Sequence, residues 1–239
     1  MIEQSPGQIL DEVLMTDLEA DYNQKVDIQV LTGTGDGGTL SGGSVFGLYP
    51  ATNWGATSVN WTATSPTQAG FFQVMGAMMS KTAYNRFSLM DFQYLMHPRR
   101  AGWWLTGTDT TGRPLVTSAG FDPFNPQALE ASVLPFEGRI ADLPYGPAAY
   151  MDANVPTTDA LGVPGGGTAD IAFGCIWDDI WLFEGDLRTR VLSEVLSGTL
   201  ELRFQVYGYL AMLSRYGQAI TITTGTGMAA PMTVDQTPY

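Results

Sequence analysis

Apolar residues open this chain at every fourth position. Leu10, Leu14, Leu18, Tyr22, Val26 and Val30 recur at that interval, with Ile9 and Val13 beside them. Such spacing draws a slowly drifting apolar stripe along one side of a helix. Asp11, Glu12, Asp17, Glu19, Asp21 and Asp27 occupy the remaining surface. Ser5, Pro6 and Gln8 form a helix-start signature, a Ser-x-x-Gln capping box with proline at the first helical position. Gly33 and Gly35 supply a stop. The pattern predicts one helix over 5–32, about 40 Å long at 1.5 Å per residue. A helix of that reach spans a whole domain or stands out from one as a strut.

The next segment, 33–43, holds six glycines. It has no lysine, no Gly-Lys-Ser/Thr follows it, and a helix rather than a strand precedes it, so it reads as a connection and not as a phosphate loop. Residues 45–61 read as β-like or irregular. Ser65-Pro66 opens a second helix with Phe71, Phe72, Met75, Met78 and Met79 on one face, a stripe that signals core or interface. A strand is predicted over 87–96. His97-Pro98-Arg99-Arg100 then begins a short helix through Leu105. A turn at 109–113 leads to a short strand at 115–117, and 121–135 is irregular. Strands follow at 138–143 and 148–155, then a Pro, Thr and Gly-rich loop at 156–168. Short strands at 170–175 and 180–184 flank the acidic turn Asp178-Asp179.

Residues 187–195 and 200–213 read as a long hairpin around Ser197-Gly198. In its second arm Leu200, Leu202, Phe204, Val206, Leu210 and Met212 alternate with Glu201, Arg203, Gln205, Tyr207 and Tyr209, which predicts one buried face. Gly208 falls on that face, where a missing side chain lets the long helix approach. A last strand is expected at 219–224. Helices and strands mix without βαβ alternation, so the fold class is α+β. The long helix and late hairpin are expected to form one elongated lobe, with the middle of the chain as a compact second lobe.

Charge changes the picture. Only 15% of the 239 residues are charged, against about 25% in an ordinary soluble domain. Either the loops are polar but uncharged, or neighbours cover the surface. Net charge is −13, without a basic tail or patch. Sequence-reading nucleic-acid binding is therefore not expected, since phosphate contacts need Lys and Arg. One cysteine excludes an internal disulfide. No stretch approaches 18 apolar residues, and Met1-Ile2-Glu3-Gln4 does not read as a signal peptide.

Candidate chemistry is sparse. His97 and Cys175 are the single histidine and cysteine. Cys175 lies in an apolar strand, where a thiol is inert, and His97 reads as a polar end-cap. Together they cannot supply a zinc site of three or four N/S ligands. Asp152 and Asp178-Asp179 could act as acid and base or hold a cation. Trp177 and Trp181 flank the latter pair, as a glycan-cleaving cleft would require. A hydrated turn over packed tryptophans explains the same residues. There is no Gly-x-Ser-x-Gly elbow and no dinucleotide fingerprint after a strand. No catalytic, cofactor-binding or metal-binding residue is assigned, and no enzyme is expected. With so few cations, Arg99, Arg100, Arg188, Arg190 and Arg203 are each expected to pair with an acid of this chain or a neighbour, and are the candidate subunit-interface residues.

The order of these elements resembles the tailed-phage major capsid proteins of the Hong Kong 97 fold. Four stretches carry the resemblance: Leu95-Met96-His97-Pro98-Arg99-Arg100-Ala101; Asp109-Thr110-Thr111-Gly112-Arg113-Pro114-Leu115; Asp170-Ile171-Ala172-Phe173-Gly174 through Trp181-Leu182-Phe183-Glu184-Gly185; and 200–224. The resemblance implies a P-domain made of the spine helix and glycine-rich connection (1–44) plus the β-hairpin (180–214). It implies an A-domain over 45–179, closed by a strand and tail at 215–239. It further implies a structural subunit of pentamers and hexamers in an icosahedral head around double-stranded DNA. Scaffolding protein, portal and maturation protease would be partners, and the virion its location after assembly in the host cytoplasm. The family places an N-terminal arm and an E-loop ahead of the spine helix. Only four residues precede Ser5 here, so the resemblance implies a chain lacking both. An encapsulin-like nanocompartment shell on the same fold, or a glycan-binding or glycan-hydrolysing domain built on Trp177, Trp181 and Asp178-Asp179, are the alternatives.

Overall fold

The computed structural model describes residues 7–35, 45–85, 89, 91–107, 139–142, 148–158, 169–192 and 203–229. In chain order the elements begin with α1 (Gly7–Thr32), β1 (Thr57–Asn60), α2 (Gln68–Tyr84), β2 (Phe92–Met96) and α3 (Pro98–Leu105). Next come β3 (Arg139–Asp142), β4 (Ala148–Met151), β5 (Thr157–Thr158), β6 (Ala169–Asp170) and β7 (Ala172–Ile176). The last are β8 (Ile180–Glu184), β9 (Arg188–Leu192), β10 (Arg203–Tyr207), β11 (Leu210–Ser214) and β12 (Ile220–Thr224).

α1 is one unbroken helix of 26 residues, about 39 Å long. Its covered positions are the expected stripe: Leu14, Leu18, Tyr22, Val26 and Val30 are half-buried, and Leu31 is buried. Val13, placed beside the stripe by the sequence, is instead 51% exposed. The capping box at Ser5 lies outside the described residues. At the other end the chain returns across the helix terminus and satisfies carbonyls that a helix end leaves without partners. Leu48 N–H donates to Val30 O at 2.9 Å and Tyr49 N–H to Leu31 O at 2.8 Å. Gly47 must be a glycine here, because a Cβ on it would strike the backbone of Leu31 and Gly33.

The centre of the fold is a six-stranded mixed sheet in the order β1-β12-β7-β2-β4-β3. β1 runs parallel to β12 and β2 parallel to β4, and the other three neighbouring pairs are antiparallel. Both faces are covered, which is why β2 and β7 read as nearly continuous apolar runs. Phe92, Tyr94 and Met96 of β2 pack with Phe71, Val74, Met75 and Met78 of α2 and with Trp104 of α3. The alternate residues, Leu95, Phe173, Cys175, Ile220 and Ile222, pack with Leu31 and the returning Leu48 and Tyr49. Full burial of each such large side chain contributes about 1.5–3 kcal/mol. β12 carries buried threonines whose hydroxyls find partners across the sheet. Thr221 Oγ1 donates to Gly174 O at 2.8 Å, and Thr223 Oγ1 accepts from Ala172 N at 2.9 Å.

Boundaries shift in several places. α2 is capped by Thr67, whose Oγ1 accepts from Gly70 N at 3.1 Å, so it starts after Ser65-Pro66. β2 begins at Phe92 rather than at 87. β4 ends at Met151, where Asp152 accepts from Asn154 N in a turn. The segments at 109–117 and 121–135 lie outside the described residues.

The late hairpin departs most from expectation. Its first arm starts at Ile180, so the strand read at 180–184 is part of it. β8 pairs with β11 and β9 with β10, with a joint at Gly185 and Tyr209, whose backbones meet at 2.8 Å. The expected buried face is not buried. Phe204 is 43% exposed, and Val206, Leu210 and Met212 are half-buried. Leu200 and Leu202 lie outside the described residues. Alternation marks a face that favours cover, but a two-stranded ribbon offers no second layer, and among the described residues α1 covers one strip of it. That strip is at Gly208, where a Cβ would meet the Tyr22 hydroxyl.

Candidate functional site

The arginines singled out by the sequence fall into two groups. Arg99 and Arg100 sit in the first turn of α3, which His97 caps by accepting the Arg99 N–H on Nδ1 at 3.2 Å. Both turn inward onto Asp170 of β6. Arg99 Nε donates to Asp170 Oδ1 at 2.6 Å, and Arg100 Nε lies 3.1 Å from Oδ2. Asp170 and Arg100 are fully buried. Arg100 also donates to Met228 O at 2.7 Å and Ala229 O at 2.6 Å, and its guanidinium lies 5.0 Å from the Trp103 ring. Burial pushes the Arg100 guanidinium below its ordinary pKa, and Asp170 opposes that shift. Arg100 thus clamps α3, β6 and the turn after β12 together. The candidate interface role is corrected for Arg100: its charge is spent inside its own chain, and no part of its side chain reaches the surface. Arg99 shares the same acid, with 22% of its side chain exposed.

Arg188 and Arg190 are different. Both are exposed on β9. In the ribbon register they face Tyr207 and Gln205, and Leu192 faces Arg203. Among the described residues neither Arg188 nor Arg190 has an ion-pair or hydrogen-bond partner. Nearby, the β8–β11 half of the ribbon exposes a row of apolar side chains. Trp181 is 48%, Phe183 55% and Leu213 47% exposed. In the register Leu213 faces Trp181 and Ala211 faces Phe183, so the four share one face.

The acidic residues do not assemble a cleft at Asp178-Asp179. These two form a short 3-10 turn between β7 and β8. Asp178 is exposed, and its carbonyl accepts from Trp181 Nε1 at 3.0 Å. Asp179 is 4.0 Å from Arg215. Trp177 packs at the edge of the core while Trp181 points to solvent, so the two tryptophans do not sandwich a sugar-sized space. Asp152 instead approaches Asp27 of α1. With Gln93, Leu95, Tyr150 and Trp177 they line an open groove of about 570 Å³. Burial, and then the neighbouring Asp152 charge, raise the Asp27 carboxyl above its ordinary pKa. This approach was not legible in the sequence, because Asp27 and Asp152 stand 125 residues apart with no shared motif. Asp170 was missed as a clamp for the same reason.

His97 and Cys175 are not a catalytic pair. Cys175 faces Gln93 in the sheet register, four residues along β2 from His97, about 13 Å at strand spacing. Its thiol is buried and pushed well above its ordinary pKa by that burial. Burial also lowers the His97 pKa, against the pull of Asp170. Among the described residues no cluster of three His, Cys, Asp or Glu could hold a metal ion, and no helix is long and apolar enough to cross a membrane.

No protein-family model matches the chain, and no curated protein matches it. Solved structures do. A chain of Gordonia phage Cozz superposes with TM-score 0.57 at 15% identity, covering 94% of this chain and 66% of that one. A chain from the capsid of an empty GTA particle gives 0.54 at 15% identity, covering 90% and 66%. A chain of Mycobacterium phage Bobi gives 0.53 at 14% identity, covering 94% and 67%. This chain therefore spans about two thirds of the length of these three structures. At such low identity the likeness speaks for the fold, and it runs through nearly all of the chain: the long helix, the mixed sheet and the ribbon together make a phage capsid-like fold.

Proposed function

We propose that this chain is a structural subunit of a phage capsid shell. The observation that carries the reading is the ribbon. In a fold shared with a GTA capsid chain, it leaves Trp181, Phe183 and Leu213 about half exposed on one face. Monomeric proteins seldom leave a contiguous apolar patch open, and rimmed patches mark contact surfaces. A shell subunit meets neighbours on several sides, which also fits a surface with few charges.

In the finer reading, α1 is the spine helix of a Hong Kong 97 P-domain, spanning 1–44 with the ribbon at 180–214. The sheet with α2 and α3 is the A-domain, 45–179 closed by 215–239. Such subunits form pentamers and hexamers of an icosahedral head around double-stranded DNA. The excess of acids, 24 against 11 Lys and Arg, suits a wall that encloses DNA without adhering to it. Scaffolding protein, portal and maturation protease are the partners of this reading, and the virion is its place. In this reading the role is structural.

Sedimentation velocity and electron microscopy of the purified protein test this. Rings of five or six subunits, or closed shells, are expected as concentration rises. A strict monomer at every concentration overturns the assignment.

A further inference from the structure

Arg188 and Arg190 are unusual cations. Acids outnumber Lys and Arg by 24 to 11 in this chain. The other cations whose side-chain contacts are described have all found oxygen. Lys25 meets Asp21, Lys81 donates to Ser58 O, Arg99 and Arg100 share Asp170, and Arg215 approaches Asp179. Arg188 and Arg190 alone among these have no oxygen partner among the described residues, and they stand exposed side by side on one face of the ribbon.

α1 presents the complementary surface. Away from its covered stripe, Val13, Asp17, Asp21, Gln24 and Ile28 follow at spacings of four, four, three and four, so they line one side. All five are exposed, with Val13 at 51% and Ile28 at 42%. Asp17 and Asp21 stand one turn apart, about 6 Å along the axis. Arg188 and Arg190 are two strand residues apart, about 6.6 Å. The two spacings match. Across the ribbon the arginine face carries Gln205 and Tyr207, while Phe204, opposite Val191, stands on the other face, so the contact at the arginines is polar. Asp21 already holds Lys25, but that i,i+4 contact is exposed on both sides and exchangeable.

Building on the shell reading above, we propose that Arg188 and Arg190 of the ribbon dock on Asp17 and Asp21 of α1 in a second copy of this chain. The contact joins two different surfaces, so each subunit uses one as donor and one as acceptor. Such head-to-tail contacts close into rings when the rotation permits. The charges set register and direction.

The test compares the full chain with R188E/R190E, with D17K/D21K, and with an equal mixture of the two variants, by sedimentation velocity and native mass spectrometry. All four positions are exposed, and circular dichroism melts superposing on wild type verify folding. Each variant alone is expected to self-associate roughly 30-fold or more weakly, because two attractive pairs become repulsive. The mixture is expected to recover to within about 3-fold of wild type, as opposite surfaces match again. Net charge separates this from general repulsion. D17K/D21K moves the chain from −13 to −9, which would strengthen association if net charge alone governed it. Association of D17K/D21K at or above the wild-type level, or a mixture that stays apart, overturns the contact while the shell reading stands. A wild-type chain that never associates overturns both.

Discussion

Replacing Asp170 should be the most damaging conservative change in this protein. Its carboxylate is fully buried and carries two guanidinium groups, Arg99 at 2.6 Å and Arg100 at 3.1 Å. Asp170→Asn keeps the shape and removes the charge. Arg99 can relax toward water, since 22% of its side chain is exposed. Arg100 cannot, because it is buried between Phe71, Trp103 and the Met228 and Ala229 carbonyls. An uncompensated buried charge costs about 3–5 kcal/mol, a large part of the ~5–15 kcal/mol that holds a domain folded. With a urea slope of about 3 kcal/mol/M, the unfolding midpoint should fall by roughly 1–1.7 M. Arg100→Met loses two charge-assisted bonds to carbonyls but leaves Asp170 with Arg99, so about 2–3 kcal/mol is expected. The double variant decides the matter. Without the buried cation the neutral amide has little to leave unpaired, so the double should cost at least ~2 kcal/mol less than the sum of the singles. Urea titrations followed by far-ultraviolet circular dichroism measure all three. A midpoint drop below about 0.3 M for Asp170→Asn, or strict additivity in the double, would refute the reasoning.

Three further outcomes are expected. Gly208→Ala places a Cβ against the Tyr22 hydroxyl and should cost about 1–2 kcal/mol in urea unfolding; adding Tyr22→Phe removes the obstructing oxygen and should recover part of that loss. Asp27→Asn should stabilise the protein at pH 7, by less than about 1 kcal/mol because the site is exposed and screened. Burial and Asp152 raise the native Asp27 pKa above its unfolded value, so the ionised form costs stability above the native pKa, and that cost vanishes as pH falls through the unfolded pKa. The advantage of Asp27→Asn over wild type in urea midpoint should therefore be present at pH 7 and absent at about pH 3. Cys175, buried with its thiol pushed up, should react with a disulfide reagent at least ~100-fold more slowly in the native protein than in urea.

What the sequence disclosed followed the reach of its signals. The stripe from Leu14 to Val30 is a local period, and it told both that α1 is a helix and which side is covered. β2 and β7 announced themselves as apolar runs because both faces of the sheet are packed. The clamp at Asp170 could not be read in the same way, since Arg99 and its acid are 71 residues apart and a charged pair beside a proline reads as surface. The ribbon misled for a different reason. Alternation of Phe204, Val206, Leu210 and Met212 states that one face favours cover, but it does not say which molecule provides it. Among the described residues the chain covers it at Gly208 and, through Met212, at the edge of the core.

That incomplete cover sets the energetics of the proposed shell. Trp181, Phe183, Leu213 and Phe204 are each about half exposed, so covering them would contribute about 1 kcal/mol apiece at the usual scale for apolar burial. A single contact gaining about 4 kcal/mol is no more than the low end of the ~4–15 kcal/mol lost when two bodies are immobilised against one another. Two copies would therefore associate weakly. A subunit locked by several such contacts at once loses its freedom once and gains each contact's burial, so stability accumulates with the closing of a ring. The exposed charges at Arg188 and Arg190 suit that regime: strong enough to choose an orientation, too weak to trap a misplaced neighbour. A tightly adhesive ribbon would freeze errors into a lattice, whereas this one lets a wrongly seated subunit leave before its other edges are engaged.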